Sequence, residues 1–123
     1  MHNFRKLNIW LDAIVLAKEV YKVTSNYPKE EKYGLVSQIN RCSVSVPSNI
    51  AEGSSRSSNK EFSYFIKIAL GSLFELETQL ILSNEFGILA AEDLDNPIDK
   101  IIKLQKMLTK FLTSLEQKWI MNK

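Results

Sequence analysis

Histidine and cysteine are nearly missing from this chain of 123 residues, which has one of each. The lone cysteine, Cys42, excludes an intramolecular disulfide and any zinc site built on clustered cysteines. The lone histidine, His2, stands at the start of the chain, so a Ser-His-acid triad would have to recruit it from there. Four glycines and three prolines disfavour a turn-rich β-sandwich or barrel, and the glycines form neither a dinucleotide fingerprint nor a phosphate loop. No apolar run approaches the ~18 residues of a membrane span, and the opening MHNFRKLNIW lacks the long apolar core of a signal peptide. Carboxylates are plentiful, but Glu75 and Glu77 are two apart and face different ways on a helix. These gaps point to a soluble, cytoplasmic, non-enzymatic protein with no metal, no cofactor and no membrane partner.

What remains is an ordinary globular composition, 45% hydrophobic and 24% charged, at a length suited to one compact domain over residues 1–123. The net charge of +2 is unevenly spread. Residues 1–60 carry nine basic and five acidic side chains, residues 61–99 one lysine against eight acids, and residues 100–123 six lysines against Glu116. Such a basic–acidic–basic chain should fold into an electrically polarised molecule.

Four segments read as helices. The first spans about Asn8–Ser25, where Leu11, Ile14, Val15, Val20 and Tyr21 recur at helical spacing. The second spans about Leu35–Glu52; Leu35, Ile39, Cys42, Val46 and Ile50 make one apolar stripe, and Pro47 predicts a kink. The third opens with a capping box, Ser58 to Glu61, and stops at Gly87. Its residues Phe62, Ile66, Ala69, Leu73, Leu76, Leu80 and Ser83 form a heptad seam. The fourth reads as capped by Asn96 with Pro97 in first position, with a turn over residues 90–95 as an option before it. Its inward face is Ile98, Ile101, Leu104, Leu108, Leu112, Leu115 and Trp119. Short connections imply an antiparallel up-down bundle. The third helix is too apolar for that bundle alone: Phe65, Ile68, Leu82 and Phe86 widen one side, and Leu70, Phe74 and Ile81 mark another. A helix apolar nearly all round predicts a partner, and self-association is the commonest solution.

Three polar features bear on function. Gln38, Arg41, Ser45, Ser48, Asn49 and Glu52 form a stripe on the second helix. It reads either as phosphate-contacting or as structural, with Ser and Asn satisfying the carbonyl that Pro47 leaves unpaired and Arg41 pairing with Glu52. A hydroxyl-rich connection, Ser54 to Lys60, carries Arg56 and leads into the capped third helix. On the fourth helix Lys103, Lys106 and Lys110 share an arc of about 60°, flanked by Lys100, while Arg5 and Lys6 add charge near the N-terminus.

A longer set of residues is distinctive as a combination. It comprises Phe4-Arg5-Lys6-Leu7 with Trp10, Tyr27-Pro28, Glu31-Lys32-Tyr33-Gly34-Leu35 and Gln38-Ile39-Asn40-Arg41. Ser43-Val44-Ser45-Val46-Pro47-Ser48-Asn49-Ile50-Ala51-Glu52-Gly53 follows with Arg56, then Ala69-Leu70-Gly71-Ser72-Leu73 and Glu75-Leu76-Glu77-Thr78-Gln79. Across about residues 4–115 the chain resembles the bacterial four-helix-bundle family encoded in 23S rRNA intervening sequences, also labelled S23 ribosomal protein. The resemblance implies an antiparallel four-helix protomer that assembles as a ring-shaped homopentamer, with no enzymatic activity. It also implies kinship with the accessory protein of diversity-generating retroelements, which partners a reverse transcriptase and binds nucleic acid. Two functions follow as expectations. One is a pentamer that binds RNA or DNA through Arg5, Lys6, Arg41, Arg56, Lys60, Lys103, Lys106 and Lys110. The other is a protein–protein scaffold with no nucleic-acid ligand, whose partner is itself or another protein, or an accessory partner of a reverse transcriptase. On either, Ser45, Pro47, Ser48, Asn49, Glu52, Gly53 and Gly71 carry structural roles.

Overall fold

A computed structural model describes residues 3–121 of the chain. A short 3₁₀ turn at Phe4–Lys6 leads into α1 (Asn8–Thr24), and a second at Lys29–Glu31 precedes α2 (Leu35–Ser54); α3 (Asn59–Glu85) and α4 (Ala91–Met121) complete the chain. The four helices pack antiparallel as a bundle. Each of α1 and α3 packs against both α2 and α4, and the backbones of α1 and α3 do not approach each other closely, so they stand at opposite corners. Among the described residues no helix is long and apolar enough to cross a membrane.

The helix ends follow local chemistry. At the start of α3 the Ser58 hydroxyl accepts the Glu61 amide at 3.1 Å, supplying a partner for one of the first-turn donors. At its end Gly87 takes φ +77°, and the amides of Gly87 and Ile88 bond the carbonyls of Asn84 and Ser83 at 3.0 and 2.9 Å, a Schellman stop that a left-handed residue makes possible. The heptad seam of α3 is the centre of the core: from Phe62 to Ser83 every one of its seven residues is at most 1% exposed. Ile39, Cys42, Val46 and Ile50 meet it from α2, and Ile101, Leu104, Leu108 and Leu115 from α4. Phe62 and Phe111 close one end edge-to-face, with ring centroids 5.3 Å apart.

Three expectations change. The inward stripe of α1 is Ile9, Ala13, Leu16, Val20 and Thr24, while Leu11, Val15 and Tyr21 are exposed. Apolar residues occupy more than one face of α1, and the buried face is the one with small Ala13 and with Thr24, whose hydroxyl lies 3.1 Å from Asn40 Oδ1 on α2. Second, α4 begins at Ala91, so the optional turn is part of it and Asn96 is no cap. Asn96 instead donates through Nδ2 to Glu19 Oε1 at 2.7 Å and accepts from Lys100 Nζ at 3.0 Å, tying α4 to α1, with Pro97 buried behind it. At Pro47, which is buried, α2 continues as one helix. The Ser45 hydroxyl reaches the Cys42 carbonyl at 2.6 Å, and Asn49 Nδ2 donates to the Ser45 carbonyl at 2.7 Å. Third, proline removes the donor for the Ser43 carbonyl between them, and the Ser45 and Asn49 side chains bond nearby carbonyls rather than that one, contrary to expectation.

Candidate nucleic-acid interface

An antiparallel bundle brings the start of α1, the end of α2, the start of α3 and the end of α4 to one end. That end collects Arg5 and Lys6 from the first 3₁₀ turn, Arg56 after α2, Lys60 in the first turn of α3 and Lys118 in the last turn of α4. Lys118 was not singled out in the sequence; only the alternation of helix directions places it at the same end as Lys60. The opposite end holds Glu85 on α3 and Glu92, Asp93, Asp95 and Asp99 in the opening turns of α4, together with Lys22, Lys29 and Lys32. The basic end also carries Glu52, Glu61 and Glu116, so the polarity along the bundle is partial. Within α4 the arrangement is also favourable locally, because acids sit near the helix start and lysines toward its end.

These cations differ in how free they are. Arg5 lies over the Phe4 ring at 4.6 Å and is exposed, as is Lys6. Arg56 is more committed: Nη2 bonds Glu52 Oε1 at 2.6 Å and its guanidinium stacks on Phe65 at 4.7 Å. Lys60 Nζ sits 5.8 Å from the Trp119 ring centre. Along α4, Lys103 reaches Asp12 at 3.8 Å while remaining 71% exposed, and Lys106 and Lys110 are exposed beside Thr109 on the same face. An exposed pair such as Lys103–Asp12 contributes little and can be exchanged for a phosphate contact.

Arg41 lies apart. It belongs to the other half of α2 and lines a groove of about 280 Å³ between α2 and α3 with Gln38, Cys42, Ser45, Ser72, Glu75 and Gln79. The anticipated Arg41–Glu52 pair does not form, since eleven residues of helix separate them by about 16 Å; Glu52 pairs with Arg56. Ser48 and Glu52 are exposed, so this part of the α2 stripe is a surface rather than a buried network. Ser45 is half-buried and its hydroxyl lies 2.7 Å from Ser72 Oγ, a tie between α2 and α3. Next to it the Cys42 thiol donates to the Ser72 carbonyl at 3.0 Å, and burial, reinforced by the Glu75 charge, pushes its pKa up to about 11. It is protonated at neutral pH and a poor nucleophile.

The two motif glycines have different surroundings. A Cβ on Gly53 would lie 2.7 Å from Phe65 Cβ and 2.8 Å from Phe62 Cδ1, so α2 and α3 cross here at a separation only glycine permits. A Cβ on Gly71 would meet nothing within 4 Å. His2 lies outside the described residues.

The model of the 23S rRNA-intervening sequence protein family matches residues 5–110. No curated protein matches the chain. Among solved structures, a protein with unknown function from the S23 ribosomal protein family of Bacteroides thetaiotaomicron VPI-5482 aligns with a TM-score of 0.76 at 21% identity, covering 85% of this chain and 97% of that one. At that identity the likeness speaks for the fold.

Proposed function

The chain belongs to the 23S rRNA-intervening sequence protein family, and we propose that it is a non-catalytic, single-domain, cytoplasmic protein of a bacterium that assembles as a homopentamer and binds RNA. The observation that carries the nucleic-acid part is the collection of Arg5, Lys6, Arg56, Lys60 and Lys118 at one end of the bundle, continued along α4 by Lys106 and Lys110. A phosphate backbone is long and uniformly charged, and a basic end joined to a basic helix face matches it better than an isolated cluster would. The non-catalytic part is supported by a buried, protonated Cys42. The pentamer is the family expectation, and the apolar outer faces of α1 and α3 support self-association.

The test is a salt titration of binding to single-stranded RNA, with duplex DNA as a second ligand. The parent affinity should fall steeply with salt. Replacing Lys103, Lys106 and Lys110 together by Gln should flatten the log–log slope by about one unit per lost phosphate contact. No binding of either nucleic acid at low salt would leave the second reading, a scaffold for another protein such as a reverse transcriptase, which the same exposed apolar faces favour. Five copies of 14.1 kDa should scatter as a particle of about 70 kDa.

A further inference from the structure

We propose that the groove between α2 and α3 is a subsite for a guanine base, read on one edge by the Arg41 guanidinium and on the next by the Glu75 carboxylate. This rests on the RNA reading above and deepens it by naming a base that the protein selects.

The groove follows from the register of the two helices. Ser45 Oγ lies 2.7 Å from Ser72 Oγ, and the Cys42 thiol donates to the Ser72 carbonyl. Because α2 and α3 run antiparallel, each step back along α2 from Ser45 matches a step forward along α3 from Ser72. Arg41 therefore comes opposite Glu75, and Gln38 opposite Gln79, and all four line the groove of about 280 Å³. That volume suits one planar ring system rather than a drug-sized molecule.

The groove differs from ordinary helix surface in two ways. Its opposed charges stay apart: the ion pairs among the described residues are Arg56–Glu52, Lys67–Glu116 and Lys103–Asp12, and neither Arg41 nor Glu75 enters one. Its amide is left short as well. Gln79 Nε2 donates to Glu75 Oε1 at 3.3 Å, while Gln79 Oε1 is buried with no donor. One cation and one anion give the groove no net charge, which favours a neutral ligand over a phosphate or a metal ion.

A guanidinium only donates and an ionised carboxylate only accepts. Their complement is a rigid ring with two adjacent acceptors followed by two adjacent donors. Guanine carries that set: O6 and N7 accept from an arginine fork, and N1–H and N2–H donate to a carboxylate. Adenine presents an amino group in place of O6 and an acceptor in place of N1–H, so it meets both side chains with the wrong polarity. The pyrimidines lack N7. The groove lies about 20 Å back along α2 from the cations at its end, so a strand held there by its phosphates can bring a base to it.

The test compares GMP with AMP by calorimetry, and an oligo(A) strand with the same strand carrying one guanine by fluorescence anisotropy. GMP should bind about tenfold more tightly than AMP, and the guanine strand should outbind oligo(A). GMP should also slow labelling of Cys42, which lines the groove. Arg41→Lys keeps the charge and loses the fork, whereas Glu75→Gln keeps an acceptor and loses the charge. Both residues are exposed, so both variants should keep the parent circular dichroism. Each should remove the guanine preference, and in Arg41→Lys the salt slope of strand binding should stay at the parent value because no phosphate contact is lost. A guanine preference for GMP with no strand binding at low salt would keep the groove and overturn the RNA reading. Strand binding without base preference would overturn the groove and leave the RNA reading standing, as would a guanine preference that survives in both variants.

Discussion

α3 carries two apolar seams half a turn apart, and the bundle treats them in opposite ways. The inner one, from Phe62 to Ser83, is removed from water almost completely. The outer one, from Tyr64 through Gly71 and Phe74 to Phe86, is left open to it, with Phe74 54% exposed beside a Leu73 that is wholly buried. The outer side mixes its apolar residues with Lys67, Glu75, Thr78 and Glu85, whereas the inner seam is apolar up to Ser83. The inner seam has facing stripes on α2 and α4, whereas the outer seam has no counterpart within the chain. Periodicity reports how many faces a helix needs covered; it is silent on who covers them.

The comparison is broken most forcefully at adjacent positions. Leu73→Ala deletes a fully buried side chain and should lower stability by about 2–5 kcal/mol, read from the urea midpoint and independent of protein concentration. A loss under about 0.5 kcal/mol would mean that the inner seam is not the core. Gly53→Ala comes next. Its new methyl would press on Phe62 and Phe65 where α2 crosses α3, and overpacking should cost about 1–3 kcal/mol. A stability gain, as expected for Gly→Ala in an open helix, would show that the crossing relaxes freely. Phe74→Ser is the smallest and the sharpest. It should keep the helical signal and shift the midpoint less than Leu73→Ala does, because Phe74 is 54% exposed in the protomer, and on the proposed self-association the shift should fade on dilution. A large, concentration-independent shift would merge the two seams into one core.

Much of this was legible in the amino-acid order. The α3 seam, the Ser58 cap and the Gly87 stop are local patterns whose physics is complete within a turn or two of helix, and each appears where those patterns put it. The inward face of α1 was only partly legible: Val20 was read correctly, but Leu11 and Val15, four apart, repeat as well as Leu16 and Val20 do. Choosing between them takes knowledge of the neighbours: Ala13 and Thr24 fit against α2 and α4, and Tyr21 does not. The start of α4 escaped for a related reason. Asn96-Pro97 has the chemistry of a helix start, yet Glu19 on α1 claims the Asn96 amide and the helix extends back to Ala91. Of the basic residues, the sequence named Arg5, Lys6, Arg56 and Lys60 without showing that alternating helix directions bring them to one end. It also offered Arg41 as a partner for Glu52, where four-residue spacing favours Arg56.

The buried thiol described at the α2–α3 contact makes the molecule its own stopwatch. Cys42 is the chain's sole cysteine, packed against the Ser72 carbonyl with its proton held up to about pH 11. Cys42 is 7% exposed where it lines the α2–α3 groove and its thiol is protonated, so a thiol reagent reacts slowly with the closed bundle. It reacts faster when α2 and α3 part, and labelling at neutral pH reports those openings. No probe has to be engineered, because every copy carries a single reactive group at the same seam. Since Ser72 follows Gly71 directly, a neighbour resting on the outside of α3 would restrain the same separation, and labelling would slow as protein concentration rises.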